Sequence, residues 1–160
     1  MLEAYLNGLA WDFAQNNKAF DALSKRKQKI IIDQGHTNLR DKILKYPDIV
    51  TGRHLWDDSS NTVQAFLEIL KPFRDSLVHP SPFSAPEKFG GYDKLKNFYR
   101  INFITAHLGV KVTADLIVEI HQHVTKSESG HPVWMDEIMK FLEDTISESN
   151  VLSSLLIRGE

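Results

Sequence analysis

The chain has 160 residues, 42% of them hydrophobic and 25% charged, and no cysteine. That length supports one packed core without staples, and the lack of cysteine excludes a disulfide framework, a thiolate nucleophile and any cysteine-based zinc or iron-sulfur site, in keeping with a reducing cytoplasm. With 19 basic against 21 acidic side chains and a net charge of -2, no global field draws the protein toward nucleic acid or an anionic membrane, so RNA binding needs a local patch or a second copy of the chain.

The opening run Met1-Leu2-Glu3-Ala4-Tyr5-Leu6-Asn7 has no basic stretch ahead of an apolar one. Nowhere do about 18 apolar residues follow one another, so neither secretion nor a membrane span is expected. Leu2, Tyr5, Leu6, Leu9 and Phe13 instead recur at the three-and-four spacing of one helix face, widened by Ala4, Ala10 and Trp11. Asn16 and Asn17 punctuate. Phe20, Leu23 and Ile30-Ile31-Ile32 then flank the basic run Lys25 to Lys29, which reads as a solvated helix face, with a basic contact patch as the alternative.

Gly35 closes that segment. Leu39, Ile43 and Leu44 predict a short helix ending before Pro47, because the residue preceding a proline avoids α geometry, and residues 47 to 58 read as a loop. Ser59, Ser60 and Asn61 offer cap oxygens to a helix carrying Val63, Phe66, Leu67 and Leu70, and Pro72 should kink it or separate it from a following turn.

Pro80, Pro82, Pro86, Gly90 and Gly91 mark a connection. One amphipathic helix is expected over Leu95, Phe98, Ile101 and Ile104, and another over Leu116, Ile117, Ile120 and Val124, with the break at Gly109 and an extended alternative for Gly109 to Thr113. After Ser127 to Gly130, Trp134, Ile138, Phe141 and Leu142 set a further helix with Asp136 and Glu137 in its first turn, and Val151 to Ile157 form an apolar tail. The chain thus reads as one all-α domain over residues 1-160.

The most specific string is Phe73-Arg74-Asp75-Ser76-Leu77-Val78-His79-Pro80. Arg74 and His79 diverge by about 140° on an ideal helix, but Pro80 pushes His79 out of α geometry and lets its ring turn back. A guanidinium clamps phosphate bidentately and an imidazole moves protons near neutral pH. Phosphodiester cleavage needs both jobs. The structural alternative is an arginine paired to a carboxylate and a histidine capping a helix C-terminus.

Arg74, Asp75, His79 and Pro80 resemble the R-x4-6-H signature of the HEPN superfamily, and Glu3-Ala4-Tyr5-Leu6-Asn7 resembles the first helix of several of its families. The resemblance covers a shared core of about 1-124. It implies an up-and-down helical bundle with extra C-terminal helices, dimerising so that two motifs face one another in a metal-independent endoribonuclease site without a cofactor. Arg74 and His79 would be catalytic and Asp75 a supporting polar group. It also implies RNA as substrate and a toxin or defence role under an antitoxin protein. A non-catalytic HEPN-like module that binds nucleotides, RNA or protein is the alternative reading, and an oligomerising helical protein is a third.

Other constellations rank lower. Arg100 and His107 also satisfy R-x6-H, and their seven-residue step brings both onto nearly one helix face, but the residues between are mostly apolar, as expected around a core or boundary histidine. His121 and His123 point to opposite sides of a helix, and His36, His54 and His131 read as surface histidines without a spaced carboxylate or histidine partner resembling a metalloenzyme motif. No glycine-rich phosphate loop, nucleophile elbow or dinucleotide fingerprint occurs.

Overall fold

A computed structural model describes residues 1-56, 60-73, 99-126 and 130-145. The described residues contain helices and no strand. Helices α1 (Leu2–Asn16), α2 (Lys25–Ile32) and α3 (Leu39–Thr51) are followed by α4, which begins as Asn61–Gln64, continues in a π-helical pitch over Ala65–Leu70 and runs on through 71-73. Helix α5 spans Phe103–Thr125, and a 3₁₀ turn at Val133–Met135 leads into α6 over 136-145. No helix among the described residues is long and apolar enough to cross a membrane.

The apolar stripe of α1 is buried through Leu2, Leu6, Ala10 and Phe13. It meets Ile43, Tyr46 and Ile49 of α3, Val112, Leu116, Ile117 and Ile120 of α5, and Met135 and Leu142 beyond. Each fully buried aliphatic side chain contributes about 1.5–3 kcal/mol. Trp11 departs from expectation. It is 61% exposed, and Ile32 is 64% exposed, because each lies off the stripe that its helix turns to the core. The basic run of α2 is solvated as expected, with only Ile31 of that helix buried.

Cross-helix contacts fix the directions. Glu3 meets Lys42 at 2.8 Å, Tyr5 meets His121 at 3.3 Å and Thr51 meets His123 at 2.9 Å, so α1, α3 and α5 run parallel. Thr62 donates to Glu119 at 2.8 Å, while Leu70 lies against Gly109, so α4 runs against α5. Helix α6 also runs against it, since Trp134 packs near Tyr5 and Phe141 near His107. The C-terminal ends of α1, α3 and α5 therefore gather at one end of the bundle. There the Arg53 guanidinium donates to the His123 carbonyl at 2.6 Å, placing a cation on the negative end of α5.

Pro47 does not end α3. The helix passes through it to Thr51 and closes at Gly52, whose φ of 69° is left-handed. Pro47 has no N–H for the Ile43 carbonyl, and the indole Nε1 of Trp56 supplies that donor at 2.8 Å. The loop expected from residue 47 therefore starts only after α3 closes.

Ser60 is the N-cap of α4 but makes no side-chain cap bond. The departure expected at Pro72 occurs one turn earlier. Lys71 N–H reaches back to the Phe66 carbonyl, a wider pitch ahead of a proline that cannot donate to residue 68.

Gly109 is not a break, and Gly109 to Thr113 is not extended, because both lie inside α5. The helix starts at Asn102, whose Oδ1 accepts from Thr105 N–H at 3.0 Å while Thr105 Oγ1 accepts from Asn102 N–H at 2.8 Å. This reciprocal cap sets the start. Ile101 and Ile104 consequently do not share a helix, while Leu95 and Phe98 lie outside the described residues, as do the connection around Pro80 to Gly91 and the tail Val151 to Ile157.

Candidate functional site

Helix α4 carries the chain to Phe73, the last described residue before the arginine–histidine string; Arg74, Asp75, His79 and Pro80 lie outside the described residues. The Phe73 side chain lines a cavity of about 450 Å³ between the end of α4 and the start of α5. Phe66 and Leu70 form one wall, Ile101, Ala106 and Val110 another, and Leu2 and Glu3 close the end. No lysine, arginine or histidine lines it among the described residues. Glu3 accepts a hydrogen bond from the ammonium of Lys42, which is only 2% exposed. The rest of the wall is predominantly apolar.

The second arginine–histidine pair does not form a helical site. Arg100 is exposed and precedes the N-cap of α5, so the two residues do not share a helix. His107 turns toward α6, with its ring 6.2 Å from Phe103 at an interplanar angle of 27° and 6.4 Å from Phe141. Its Nδ1 is buried without a hydrogen-bond partner among the described residues. Aromatic packing holds the ring.

His121 and His123 diverge, as the helix pitch requires. His121 Nδ1 meets the Tyr5 hydroxyl, whereas His123 Nε2 lies 2.9 Å from Thr51 Oγ1 and 3.2 Å from the Arg53 carbonyl. The remaining histidines each pair with a single carboxylate. His36 pairs with Asp33 at 2.6 Å, His54 with Asp48 at 2.5 Å and His131 with Asp136 at 2.8 Å. These are isolated pairs, and among the described residues no three histidines or carboxylates gather as a metal site would need.

One chemically furnished place went unread in the sequence. Tyr5, Gly8, Leu9 and Asp12 of α1 face His121, Val124 and Thr125 of α5 across a groove of about 630 Å³, with Trp134 as a side wall. The Tyr5 and Trp134 rings are tilted by 51° with centroids 6.2 Å apart. Burial pushes the Tyr5 phenol up to about 12, so it stays neutral beside His121 at ordinary pH. The sequence spacing places Tyr5 on the core stripe of α1. Only the parallel register of α1 and α5 brings His121 alongside it.

Comparison of the chain with protein-family models, with curated proteins and with solved structures returns no match.

Proposed function

We propose that the protein is a metal-independent endoribonuclease of the HEPN type, acting as a homodimer with two Arg74–His79 motifs facing one another. In this reading Arg74 holds the phosphoryl oxygens, His79 serves as general acid or base and Asp75 orients its neighbours. The ribose 2′-hydroxyl attacks phosphorus, its proton passes to a base, and the 5′-oxygen leaves with a proton as a cyclic phosphate forms. The observation that carries the reading is the string itself, in which Arg74 and His79 stand five residues apart, Asp75 follows the arginine and Pro80 follows the histidine.

Dimerisation is supported by exposed apolar side chains near the start of α5. Phe103 is 70% and Ile104 74% exposed, a pattern typical of association surfaces. A toxin or defence role, with an antitoxin protein as partner, belongs to the same reading.

A non-catalytic HEPN-like module is the second reading. The largely apolar lining of the cavity favours it, since phosphate recognition calls for cationic donors. RNA cleavage in EDTA separates the two. Cleavage by wild type that is lost in both Arg74→Ala and His79→Ala, with unchanged helicity and oligomeric mass, supports the nuclease. Undiminished cleavage by those variants overturns the assigned site, and no cleavage of any RNA tried favours the binding module.

A further inference from the structure

We infer that the groove between α1 and α5 walled by Trp134 is a binding site for a small arylalkylamine, its aromatic ring packed against Tyr5 and Trp134 from the groove and its ammonium group at Asp12. The inference is independent of the nuclease reading. Its residues lie on a different part of α1 from Leu2 and Glu3, which border the other cavity.

The groove has three zones in register. Tyr5, His121 and Trp134 make an aromatic end, Gly8, Leu9 and Val124 an apolar middle, and Asp12 and Thr125 a polar end. Among the described residues, a Cβ on Gly8 would meet nothing within 4 Å, so the floor is open there. Tyr5 and Asp12 are seven residues apart, roughly 10 Å along the helix, which matches a ring and an ammonium joined by a short methylene chain. The volume of about 630 Å³ falls within the range of small-molecule sites, roughly 300–1,000 Å³.

Charge selects an amine. Among the described residues, Asp12 is the only aspartate, glutamate, lysine or arginine lining the groove. Asn16 Nδ2 donates to Asp12 Oδ1 at 2.6 Å, leaving Oδ2 without a partner among the described residues. Because α1 and α5 are parallel, their negative C-terminal ends both lie toward Asp12 and reinforce the preference. Lys126 sits across Asp12 in the adjoining cavity without pairing to it. Met1 lines the groove eleven positions ahead of Asp12, about 16 Å along the helix.

At the other end the rings accept a planar guest. Trp134 is 50% exposed, and the Tyr5–His121 contact holds the phenol in one orientation. Aromatic faces also attract the positive edge of a guest ring.

The test uses three probes of one skeleton: 4-phenylbutylamine, the neutral 4-phenylbutanol and the anionic 4-phenylbutyrate. Binding to the full chain is followed by calorimetry and by tryptophan fluorescence in a Trp11→Phe background. The amine should bind about tenfold more tightly than the alcohol, and the carboxylate more weakly than either. Asp12→Asn should bring amine and alcohol within about twofold of each other, Asp12→Glu should retain the preference, and Trp134→Ala should weaken both. Equal amine and alcohol affinity, a preference that survives Asp12→Asn, or no saturable amine binding by about 10 mM would each overturn the proposal. Asp12 is exposed, and circular dichroism of its variants confirms that the comparison is between folded proteins.

Discussion

The indole of Trp56 donates to the Ile43 carbonyl, the acceptor that Pro47 leaves without its helical partner. Trp56 is 4% exposed, so this bond is made away from water. A residue beyond the helix end thus completes the backbone bonding of the helix interior.

Trp56→Phe should therefore cost about 2–4 kcal/mol, combining a buried carbonyl left unsatisfied with lost packing. In a Pro47→Ala background the restored amide can bond Ile43, and the same substitution should cost about 1 kcal/mol less. Urea unfolding of the four proteins gives the coupling. Additive costs would show that the indole and the missing amide do not serve the same carbonyl.

The Lys42–Glu3 pair predicts an asymmetry. Glu3→Gln leaves a buried ammonium without its carboxylate and should destabilise by about 3 kcal/mol. Lys42→Met keeps the aliphatic stem packed and should fall within about 1 kcal/mol of wild type. A reversed order in chemical denaturation would mean that Lys42 contributes through its charge rather than its stem.

Alkaline stability follows from Tyr5. Its folded pKa of about 12 lies above the ordinary value of 10.0 because burial disfavours the phenolate. The contribution is complete below pH 10 and is lost as pH rises toward 12, since the unfolded chain ionises first. After discounting for solvent on a partly exposed ring, the loss is about 1 kcal/mol. Tyr46, also raised by burial, acts with the same sign. Tyr5→Phe should show a shallower fall in unfolding midpoint between pH 9 and 12 than wild type, and parallel curves would remove Tyr5 as the cause.

Two glycines should respond in opposite directions. Among the described residues, a Cβ on Gly109 would meet only Leu70 Cδ2, at 3.8 Å, an ordinary contact, so Gly109→Ala should stabilise α5 by about 0.5–1 kcal/mol. Gly52 closes α3 at φ 69°, and Gly52→Ala should destabilise by about 1 kcal/mol. Thermal melts of both variants check the signs. A destabilised Gly109→Ala would show that α4 and α5 pack too closely for a methyl group.

The core stripe of α1 was legible because its spacing repeats without a competing signal. Pro47 and Gly109 were misleading for opposite reasons. Local rules end a helix at a proline, but Trp56 supplies the missing donor from outside the window those rules consider. Local rules also break a helix at a glycine, but the Asn102–Thr105 cap and the buried row from Val112 to Ile120 carry α5 across it. The divergence of His121 and His123 followed from pitch alone. Their partners Tyr5 and Thr51 did not, because they depend on how separate helices align. The Arg74–His79 string remains a sequence reading, since both residues lie outside the described residues.

Met1 borders both the apolar cavity that begins at Phe73 and the groove that ends at Asp12. Any residue joined ahead of it, including a purification tag, starts at the junction of the two. Binding measured on an amino-terminally tagged preparation would therefore report on two altered cavities at once.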